Sequence, residues 1–200
     1  MEENSGSRVV IFFDTETNGI SYKSSVLSIS ALKGLVDPET GWVELTDKFE
    51  RYYFPVEPFN WGAIRVNHLD GPTIQRLRGK NCPYPKYFQD DQEAFEAFSA
   101  DCNRYVAHNI DFDRAFLRKT LKKTFCTMKG NLMAVKAPSS KPGTPKWPNL
   151  AETAAFYHIR LPEDEGTFHQ SGYDALMVMK IFEQMLKTPY GKQATAVFLK

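Results

Sequence analysis

The sequence feature that most constrains the fold is a continuous run of β-branched and aromatic residues from Val9 to Phe13. A run with no polar position on either face is typical of a strand that is buried on both sides, in the middle of a sheet. Serine and glycine precede the run, and the turn-forming sequence TNG follows it after three residues. We therefore predict a central strand that ends at a turn.

The next part of the chain predicts two more strands. The segments Val26–Val36 and Trp42–Tyr53 have strand-like compositions and are separated by DPETG, a strong turn sequence. Prolines that follow the second segment cannot continue a strand ladder. We therefore expect the opening third of the chain to be a three-stranded antiparallel meander.

The rest of the chain has a mainly helical pattern, with YVAH at 105–108 as a short predicted strand. Residues 70–87 and 134–148 are rich in Pro, Gly and Lys and are expected to be long loops, which are often functional. Strands first, then helices alternating with short strands, predict an α/β fold around a mixed sheet. The predicted helices are Phe88–Arg104, Asp113–Lys123, the segment PNLAETAAFYHI at 148–159, and Gly172–Leu186.

Composition limits the class of protein. The chain has 200 residues, within the range of one domain, and 25 Lys and Arg against 24 Asp and Glu. This balance does not by itself indicate a nucleic-acid binder, although a basic groove around an acidic site would average to it. The three cysteines lack CxxC spacing, which argues against a disulfide framework or zinc site and favours a reducing compartment. With no signal peptide and no apolar run of roughly 18 residues, we expect a soluble, cytoplasmic protein with no membrane partner.

Asp14 and Glu16 follow the apolar run at positions i and i+2. Side chains alternate faces along a strand, so both carboxylates are expected to point the same way. Two like charges side by side repel each other unless a positive group lies between them. The alternative is a strand that simply ends in a polar turn, but the buried run before the pair favours a functional site.

Two other segments carry acids that could join this pair. HNIDFD contains Asp111 and Asp113, and chemistry alone does not decide whether either binds a metal or both simply favour a helix N-terminus. His169 and Asp174 are five residues apart, which is about 140° around a continuous helix. They can share a site only if His169 lies before the helix, and Gly172 is a plausible point for such a break.

Together these side chains supply four hard oxygen ligands and one base. Mg²⁺ and Mn²⁺ prefer oxygen ligands, and carboxylates without thiolates favour these ions over zinc. Two such ions about 3.5–4 Å apart can clamp the attacking and leaving oxygens of a displacement at phosphorus. A histidine side chain can accept a proton from water at neutral pH. These residue types are therefore the ones that metal-assisted phosphodiester hydrolysis needs.

Three segments of the chain resemble a known family. FFDTETNG, AHNIDFDRAFL and HQSGYDALMVMKIF are similar, in order and in spacing, to the three motifs of the DEDDh 3′→5′ exonucleases. The resemblance spans roughly residues 8–187 and implies one exonuclease domain over residues 1–200. The implied fold is RNase H-like, with a mixed five-stranded sheet flanked by helices. The implied activity uses two divalent cations, Mg²⁺ or Mn²⁺ in its place, and releases nucleoside 5′-monophosphates from a free 3′ end of nucleic acid.

The family pattern also implies a role for individual residues. Its second motif, HNxxFD, selects Asp113 over Asp111 as a ligand, and its third motif, HxxxxD, makes His169 the general base. The implied metal ligands are Asp14, Glu16, Asp113 and Asp174. The candidate substrate contacts within the motifs are Thr17, Asn18, His108 and Asn109.

Cations interleaved with aromatic rings indicate how a single strand of nucleic acid could be held. Lys146 and Trp147, near Lys136, are candidate substrate contacts of this kind. The alternative for any such cluster is a solvated loop whose rings fold into the core. A larger cluster combines Arg76, Arg78, Lys80 and Lys86 with Tyr84, Tyr87 and Phe88.

We favour single-stranded DNA as the substrate, with RNA as an alternative. Discrimination between the two depends on one or two contacts to the 2′-OH. A homodimer is one option for the oligomeric state. The alternative function is a catalytically silent nucleic-acid-binding module on the same fold, although the presence of all five site residues argues against it.

Overall fold

The computed structural model describes residues 6–140, 143–162 and 165–200. Its centre is a five-stranded sheet in the order β3-β2-β1-β4-β5. The first three strands form an antiparallel meander, β4 runs parallel to β1, and β5 runs parallel to β4. The strands are β1 Arg8–Thr17, β2 Val26–Val36, β3 Val43–Tyr52, β4 Arg104–Ala107 and β5 Lys123–Cys126. The predicted mixed five-stranded sheet and its antiparallel meander are confirmed, with β1 at the centre.

Helices cover both faces of this sheet. They are α1 Trp61–Asn67, α2 Gly71–Arg78, α3 Gln92–Phe98, α4 Ile110–Asp113, α5 Thr127–Gly130, α6 Leu132–Val135, α7 Leu150–Phe156, α8 Ser171–Leu186 and α9 Pro189–Leu199. Short 3₁₀ turns lie at Phe88–Asp90 and Arg114–Phe116. Within the described ranges, no helix is both long and apolar enough to cross a membrane.

Strand β1 is buried on both faces, as its apolar run predicts. Phe12 faces the layer that contains α8, where its ring meets Phe182 edge-on with centroids 5.5 Å apart. Phe13 faces the opposite layer, where it packs against Phe95 of α3. A shift of one residue would exchange the two faces of the strand, so packing on both sides fixes the register of everything that follows on β1.

Two of the predicted helices are confirmed and two are wrong in extent. Helix α8 begins one residue before the predicted Gly172, and α7 occupies the middle of the predicted segment at 148–159. The helix predicted from Asp113 to Lys123 is wrong, because helical backbone ends at Phe116 and Leu117 is extended. The helix predicted over 88–104 stops after Phe98, since the chain must turn before it enters β4.

Residues 70–87, expected to be a loop, begin with helix α2. The Asp70 side chain accepts a hydrogen bond from the backbone N–H of Thr73 at 2.8 Å, and Pro72 lies in the first turn. An N-cap aspartate followed by proline is a helix-start pattern. The expectation of an irregular segment therefore holds only after Arg78.

Helix α9 depends on a glycine, and this gives a stability prediction. A Cβ at Gly191 would lie 2.1 Å from the carbonyl oxygen of Met185 in α8. Because the neighbour is backbone, Gly191→Ala should displace α9 and lower the free energy of unfolding by about 1–3 kcal/mol. Urea denaturation would measure the change. Gly6→Ala is the matched control, with no atom within 4 Å of its Cβ. Equal stability of the two variants would contradict the prediction.

Candidate active site

Asp14 and Glu16 lie within β1 rather than after it. The strand continues to Thr17, and the two acids lie opposite Ser30 and Ser28 of β2. By strand alternation both acidic side chains project on the face that also carries Phe12, which is the face covered by α8. The expected common orientation of the two carboxylates is thus a consequence of the register of β1.

Asp113 joins Asp14 and Glu16 from helix α4, which follows the neighbouring strand β4. β1 and β4 pair only at Ile11 with Tyr105 and at Phe12 with Val106, so beyond these pairs the two strands are free to separate. Helix α4 follows β4 and presents the Asp113 side chain, which is 2% exposed. Its Oδ1 accepts hydrogen bonds from the backbone N–H of Thr15 at 3.1 Å and from the Thr15 hydroxyl at 2.8 Å.

The alternative acid of this motif, Asp111, faces solvent. It forms ion pairs with Arg114, at 2.7 Å, and with Lys129. These partners lower the pKa of Asp111, with the hydrogen bond from Lys129 as the main cause. The structure therefore places Asp113 with the acids of β1 and leaves Asp111 on the surface.

His169 and Asp174 meet because the helix begins between them. Helix α8 starts at Ser171, so His169 lies outside it, as the five-residue spacing requires. His169 has a left-handed backbone, with φ of 66°, and its N–H donates to Asp174 Oδ2 at 3.1 Å. One potential ligand atom from each of Glu16, His169 and Asp174 lies within 4.8 Å of the others. The histidine ring is exposed at the edge of the acidic cluster.

The pKa values of all four acids are raised, by loss of contact with water in each case and also by repulsion from other acids for Asp14, Glu16 and Asp113. Burial raises the pKa of Asp14 well above its usual range, and the charges of Asp113, Asp174 and Glu16 raise it further. Burial, followed by the charge of Asp174, raises the pKa of Glu16 to about 8. Burial also raises the pKa of Asp113 and of Asp174 to about 7, despite the hydrogen bonds that each accepts. The cluster therefore favours either protons or a positive ion.

Two carboxylate oxygens of the cluster show that a cation would fit. Asp14 Oδ2 and Asp174 Oδ1 are inaccessible to solvent and have no hydrogen-bond partner among the described residues. An unpaired buried carboxylate oxygen is unfavourable unless a proton, a donor or a cation neutralises it. Carboxylate oxygens without a thiolate suit Mg²⁺ or Mn²⁺. The residues present thus fit a hard divalent cation.

Two contacts around the cluster were not anticipated from sequence. Asn67, at the end of α1 and 3% exposed, donates to the carbonyl oxygen of Thr17 at 3.1 Å, and its hydrogen bond to Glu16 opposes the rise in pKa of that acid. Ser30 of β2 shares a 2.9 Å hydrogen bond with Ser171, which links the central sheet to the first turn of α8. The available sequence pattern was a pair of serines at alternate positions in the otherwise apolar strand VLSISAL.

Thr17 and Asn18, predicted to contact the substrate, are buried beside the acids. The Thr17 hydroxyl donates to the carbonyl oxygen of Gly19 at 2.7 Å. The Asn18 side chain is 2% exposed, donates to Glu57 and Pro58, and accepts from the backbone of Asn60. Both amide protons of Asn18 are thus used within the protein, to hold the loop after β1.

His108 and Asn109 occupy the turn between β4 and α4. His108 Nε2 donates to the carbonyl oxygen of Pro148 at 3.0 Å, so its Nδ1 accepts from the Thr127 hydroxyl at 2.9 Å. Burial lowers the pKa of His108 to about 4, which keeps the ring neutral. Asn109 is exposed with a left-handed backbone, φ of 71°. In these contacts His108 serves as an anchor for the segment that carries Trp147.

The predicted cationic and aromatic clusters separate into packed and exposed members. Lys146 pairs with Glu152 at 2.7 Å, whereas Trp147 is 52% exposed. The guanidinium of Arg78 lies 4.6 Å from the ring centre of Tyr84 and donates to the Tyr84 carbonyl oxygen, which is the packed alternative. Phe88 is buried in the core.

Lys86 and Tyr87 remain available on the surface. Lys86 Nζ lies 5.1 Å from the ring centre of Phe54 and 5.2 Å from that of Tyr87. These two rings line a cavity of about 440 Å³, together with Tyr22 and Lys23. Neither lysine forms an ion pair with any residue that the structure describes. The cavity also borders Ala115 and Phe116, in the 3₁₀ turn that follows α4.

The raised pKa values predict how stability depends on pH. The folded protein binds more protons than the unfolded chain between the ordinary carboxyl pKa and the raised values of about 7 to 8. The free energy of unfolding should therefore fall as pH rises from about 5 to 8 without divalent cations. Asp14→Asn removes one charge, so at pH 8 it should be more stable than the wild type by about 1 kcal/mol or more.

Urea denaturation in EDTA at pH 5, 6.5 and 8 would measure this effect. Asp111→Asn is the control, because its acid lies on the surface with a lowered pKa. The same pH profile for wild type and Asp14→Asn would contradict the interpretation.

Several solved structures are similar to this protein. No protein-family model matches the sequence, and no curated protein matches it either. A structure of Exonuclease X in complex with 5′-overhanging duplex DNA has a TM-score of 0.63 at 17% identity, over 96% of this chain and 99% of that chain. Exonuclease I of E. coli with a dA16 oligonucleotide has a TM-score of 0.63 at 14% identity, over 93% of this chain and 42% of that chain.

A third similar structure is the nuclease domain of 3′hExo, a DEDDh family member, bound to rAMP. Its TM-score is 0.62 at 13% identity, and the match covers 94% of both chains. At these identities the similarity establishes the fold. It agrees with the resemblance of the three sequence segments, and the chain therefore has the RNase H-like fold of the DEDDh exonucleases.

Proposed function

We propose that the protein is a divalent-metal-dependent 3′→5′ exonuclease that hydrolyses the terminal phosphodiester bond of single-stranded nucleic acid. The observation that carries the proposal is the cluster of four carboxylates, two buried and two half-buried, next to an exposed histidine. Two oxygens of the cluster have no hydrogen-bond partner among the described residues. The fold shared with exonucleases supports it. A silent binding module would have no need for such an unfavourable set of buried acids.

In the proposed mechanism the acids would hold two Mg²⁺ ions, or Mn²⁺ ions in their place. The proposed ligands are Asp14, Glu16, Asp113 and Asp174. Bound in pairs, such ions polarise the phosphate and activate water. Thr15 fixes the orientation of Asp113 through two hydrogen bonds, and the backbone of His169 fixes that of Asp174. The protein thus sets the positions of the ligand oxygens before any ion binds.

His169 is the proposed general base. Its exposed ring lies at the edge of the acidic cluster, where it can accept a proton from the water that attacks phosphorus. The released proton can pass from the exposed ring to solvent. The left-handed backbone of this residue, together with the N–H bond to Asp174, links the position of the base to that of a proposed ligand.

The cavity lined by Tyr22, Phe54 and Tyr87 supports a nucleic-acid substrate. Lys23 also lines it, and Lys86 lies against two of its rings, so rings and cations are present for the bases and phosphates of a flexible single strand. The similar structures that contain duplex DNA, an oligonucleotide or a histone mRNA stem-loop agree with this substrate class. We favour DNA, with a free 3′ end, and keep RNA as the alternative.

Cellular location and assembly remain proposals. Cys82, Cys102 and Cys126 are all free thiols, which favours a reducing compartment such as the cytoplasm. A single exonuclease domain with the option of a homodimer stays a prediction from the sequence.

The two acids of the second motif provide a matched test of catalysis. Asp113→Ala should reduce release of nucleoside monophosphates in Mg²⁺ by at least about 100-fold, because a ligand is lost. Asp111→Ala should retain nearly full activity. His169→Ala should lower the rate by about 10²–10⁴-fold while Mn²⁺ still binds. The assay is release of mononucleotides from a 3′-labelled oligonucleotide. Full activity of Asp113→Ala would exclude the mechanism, and an inactive wild type that binds oligonucleotide would favour the silent module.

The proposed binding of single-stranded nucleic acid by Lys86 and Tyr87 can be tested separately from catalysis. Tyr87→Ala should weaken binding of single-stranded DNA by about 1–3 kcal/mol, because one stacking platform is lost. Lys86→Ala should lower the slope of log affinity against log salt by about 0.7, as expected for one phosphate contact. Fluorescence anisotropy in EDTA would measure both without hydrolysis. Lys122→Ala is the control, since Lys122 lines a different cavity, near the start of β1. Unchanged affinity of both cavity variants would place the strand elsewhere.

A further inference from the structure

The hydroxyl of Ser28 is a third polar group without a partner near the acidic cluster, besides the two carboxylate oxygens described above. Within the described ranges, the buried side-chain oxygens without a hydrogen-bond partner are Asp14 Oδ2, Asp174 Oδ1 and the hydroxyl oxygen of Ser28. Ser28 has no function in the mechanism outlined above, and its side chain is 0% exposed. A buried hydroxyl without a partner is unfavourable in a folded protein, so its presence calls for a physical reason.

The strand register shows where this hydroxyl points. Ser28 of β2 lies directly opposite Glu16 of β1, and Ser30 lies opposite Asp14. Residues that face each other in an antiparallel pair project on the same side of the sheet, with Cβ atoms about 4.5–5.5 Å apart. The register changes only after Glu16, so the pairing of Ser28 with Glu16 belongs to the regular part of the ladder. The Ser28 hydroxyl is therefore a neighbour of a proposed ligand.

The other serine of the strand has a different role. Ser30 is also fully buried, but its hydroxyl is paired with Ser171 at the start of α8. Since that hydrogen bond joins two parts of the protein, it explains Ser30 as a structural residue. No such contact explains Ser28.

Asn67 is a hydrogen-bond partner of Glu16. It reaches the Glu16 carboxylate from the end of α1 and also donates to the carbonyl oxygen of Thr17. Carboxylates that bind metal ions are themselves usually hydrogen-bonded by neighbouring groups, which fix the orientation of the ligand. A hydroxyl on the adjacent strand could supply the second such contact.

We propose that Ser28 is a positioning residue of the cation site, whose hydroxyl donates to the Glu16 carboxylate when that carboxylate holds a cation. The inference rests on the proposed function, because it needs a cation at this cluster. The Ser28 hydroxyl has no partner among the described residues, and the proposed hydrogen bond to Glu16 would supply one. We therefore expect the Ser28 side chain to lower the stability of the metal-free protein and to raise that of the metal-bound protein.

This opposite effect gives a test that a merely structural serine would fail. Ser28→Ala should be as stable as the wild type in EDTA, or more stable by up to about 2–4 °C in its unfolding midpoint, since an unpaired buried hydroxyl is removed. In MnCl₂ the variant should gain less stability than the wild type. Its apparent dissociation constant for Mn²⁺, followed by the electron paramagnetic resonance signal of the free ion, should rise about 10-fold.

Two further variants complete the design. Ser99→Ala is the matched control, because Ser99 is also fully buried but its hydroxyl accepts from Lys119 at 2.7 Å, away from the acids. It should lose stability in EDTA and bind Mn²⁺ like the wild type. Ser28→Thr keeps the hydroxyl and should restore most of the Mn²⁺ affinity.

The outcomes separate failure of this inference from failure of the proposed function. If Mn²⁺ neither binds nor stabilises the wild type, there is no cation site, and both the exonuclease proposal and the role of Ser28 are excluded. If Mn²⁺ binds the wild type and Ser28→Ala equally well, the site stands and the role of Ser28 is overturned. A loss of stability for Ser28→Ala in EDTA with unchanged Mn²⁺ affinity would also make Ser28 a structural residue.

Discussion

The placement of four carboxylates at one point of the sheet, two of them buried and two half-buried, is the constraint on which the rest of the site depends. Loss of contact with water raises the pKa of every member, and repulsion from the other acids raises the pKa of Asp14, Glu16 and Asp113 further. Thr15, Asn67 and the backbone of His169 give hydrogen bonds to three of the acids, and these bonds only moderate the shifts. Such an arrangement is unfavourable in isolation and becomes favourable when a compact positive charge occupies it. The cluster therefore lowers the stability of the metal-free protein, and a bound cation would remove this unfavourable contribution.

The topology of the sheet explains how three distant segments reach this point. β1 and β4 pair only in the middle of the sheet, and past the last pair the chain after β4 turns at Asn109 and brings Asp113 to the edge of β1. Helix α8 packs on the other face through Phe182, which places its first turn, with Asp174, above the end of β1. A helix N-terminus also favours negative charge. Apolar packing thus positions the acids, because this environment is unfavourable for a carboxylate.

Local patterns in the sequence predicted the parts of the site that depend on local geometry. The common orientation of Asp14 and Glu16 follows from strand alternation, and the place of His169 follows from its five-residue separation from Asp174. Contacts between segments were not predictable in this way. Asn67 reaches Glu16 from α1, a helix that was not predicted from the sequence, and Ser28 meets Glu16 only because of the register between two strands. The helix expected from Asp113 to Lys123 failed for a similar reason, since residues 117–122 form an irregular connection that leads into β5, the strand that pairs with β4.

The two acids of the second motif show why residue type alone does not define a site. Asp111 and Asp113 share one short helix, yet the pKa of Asp111 is lowered by Lys129 and that of Asp113 is raised by burial. The ion pairs of Asp111 with Arg114 and Lys129 connect α4 to the start of the 3₁₀ turn and to α5. One acid thus lies on the surface, where a lysine and an arginine stabilise its charge, and the other is buried, where its charge is least tolerated and most useful.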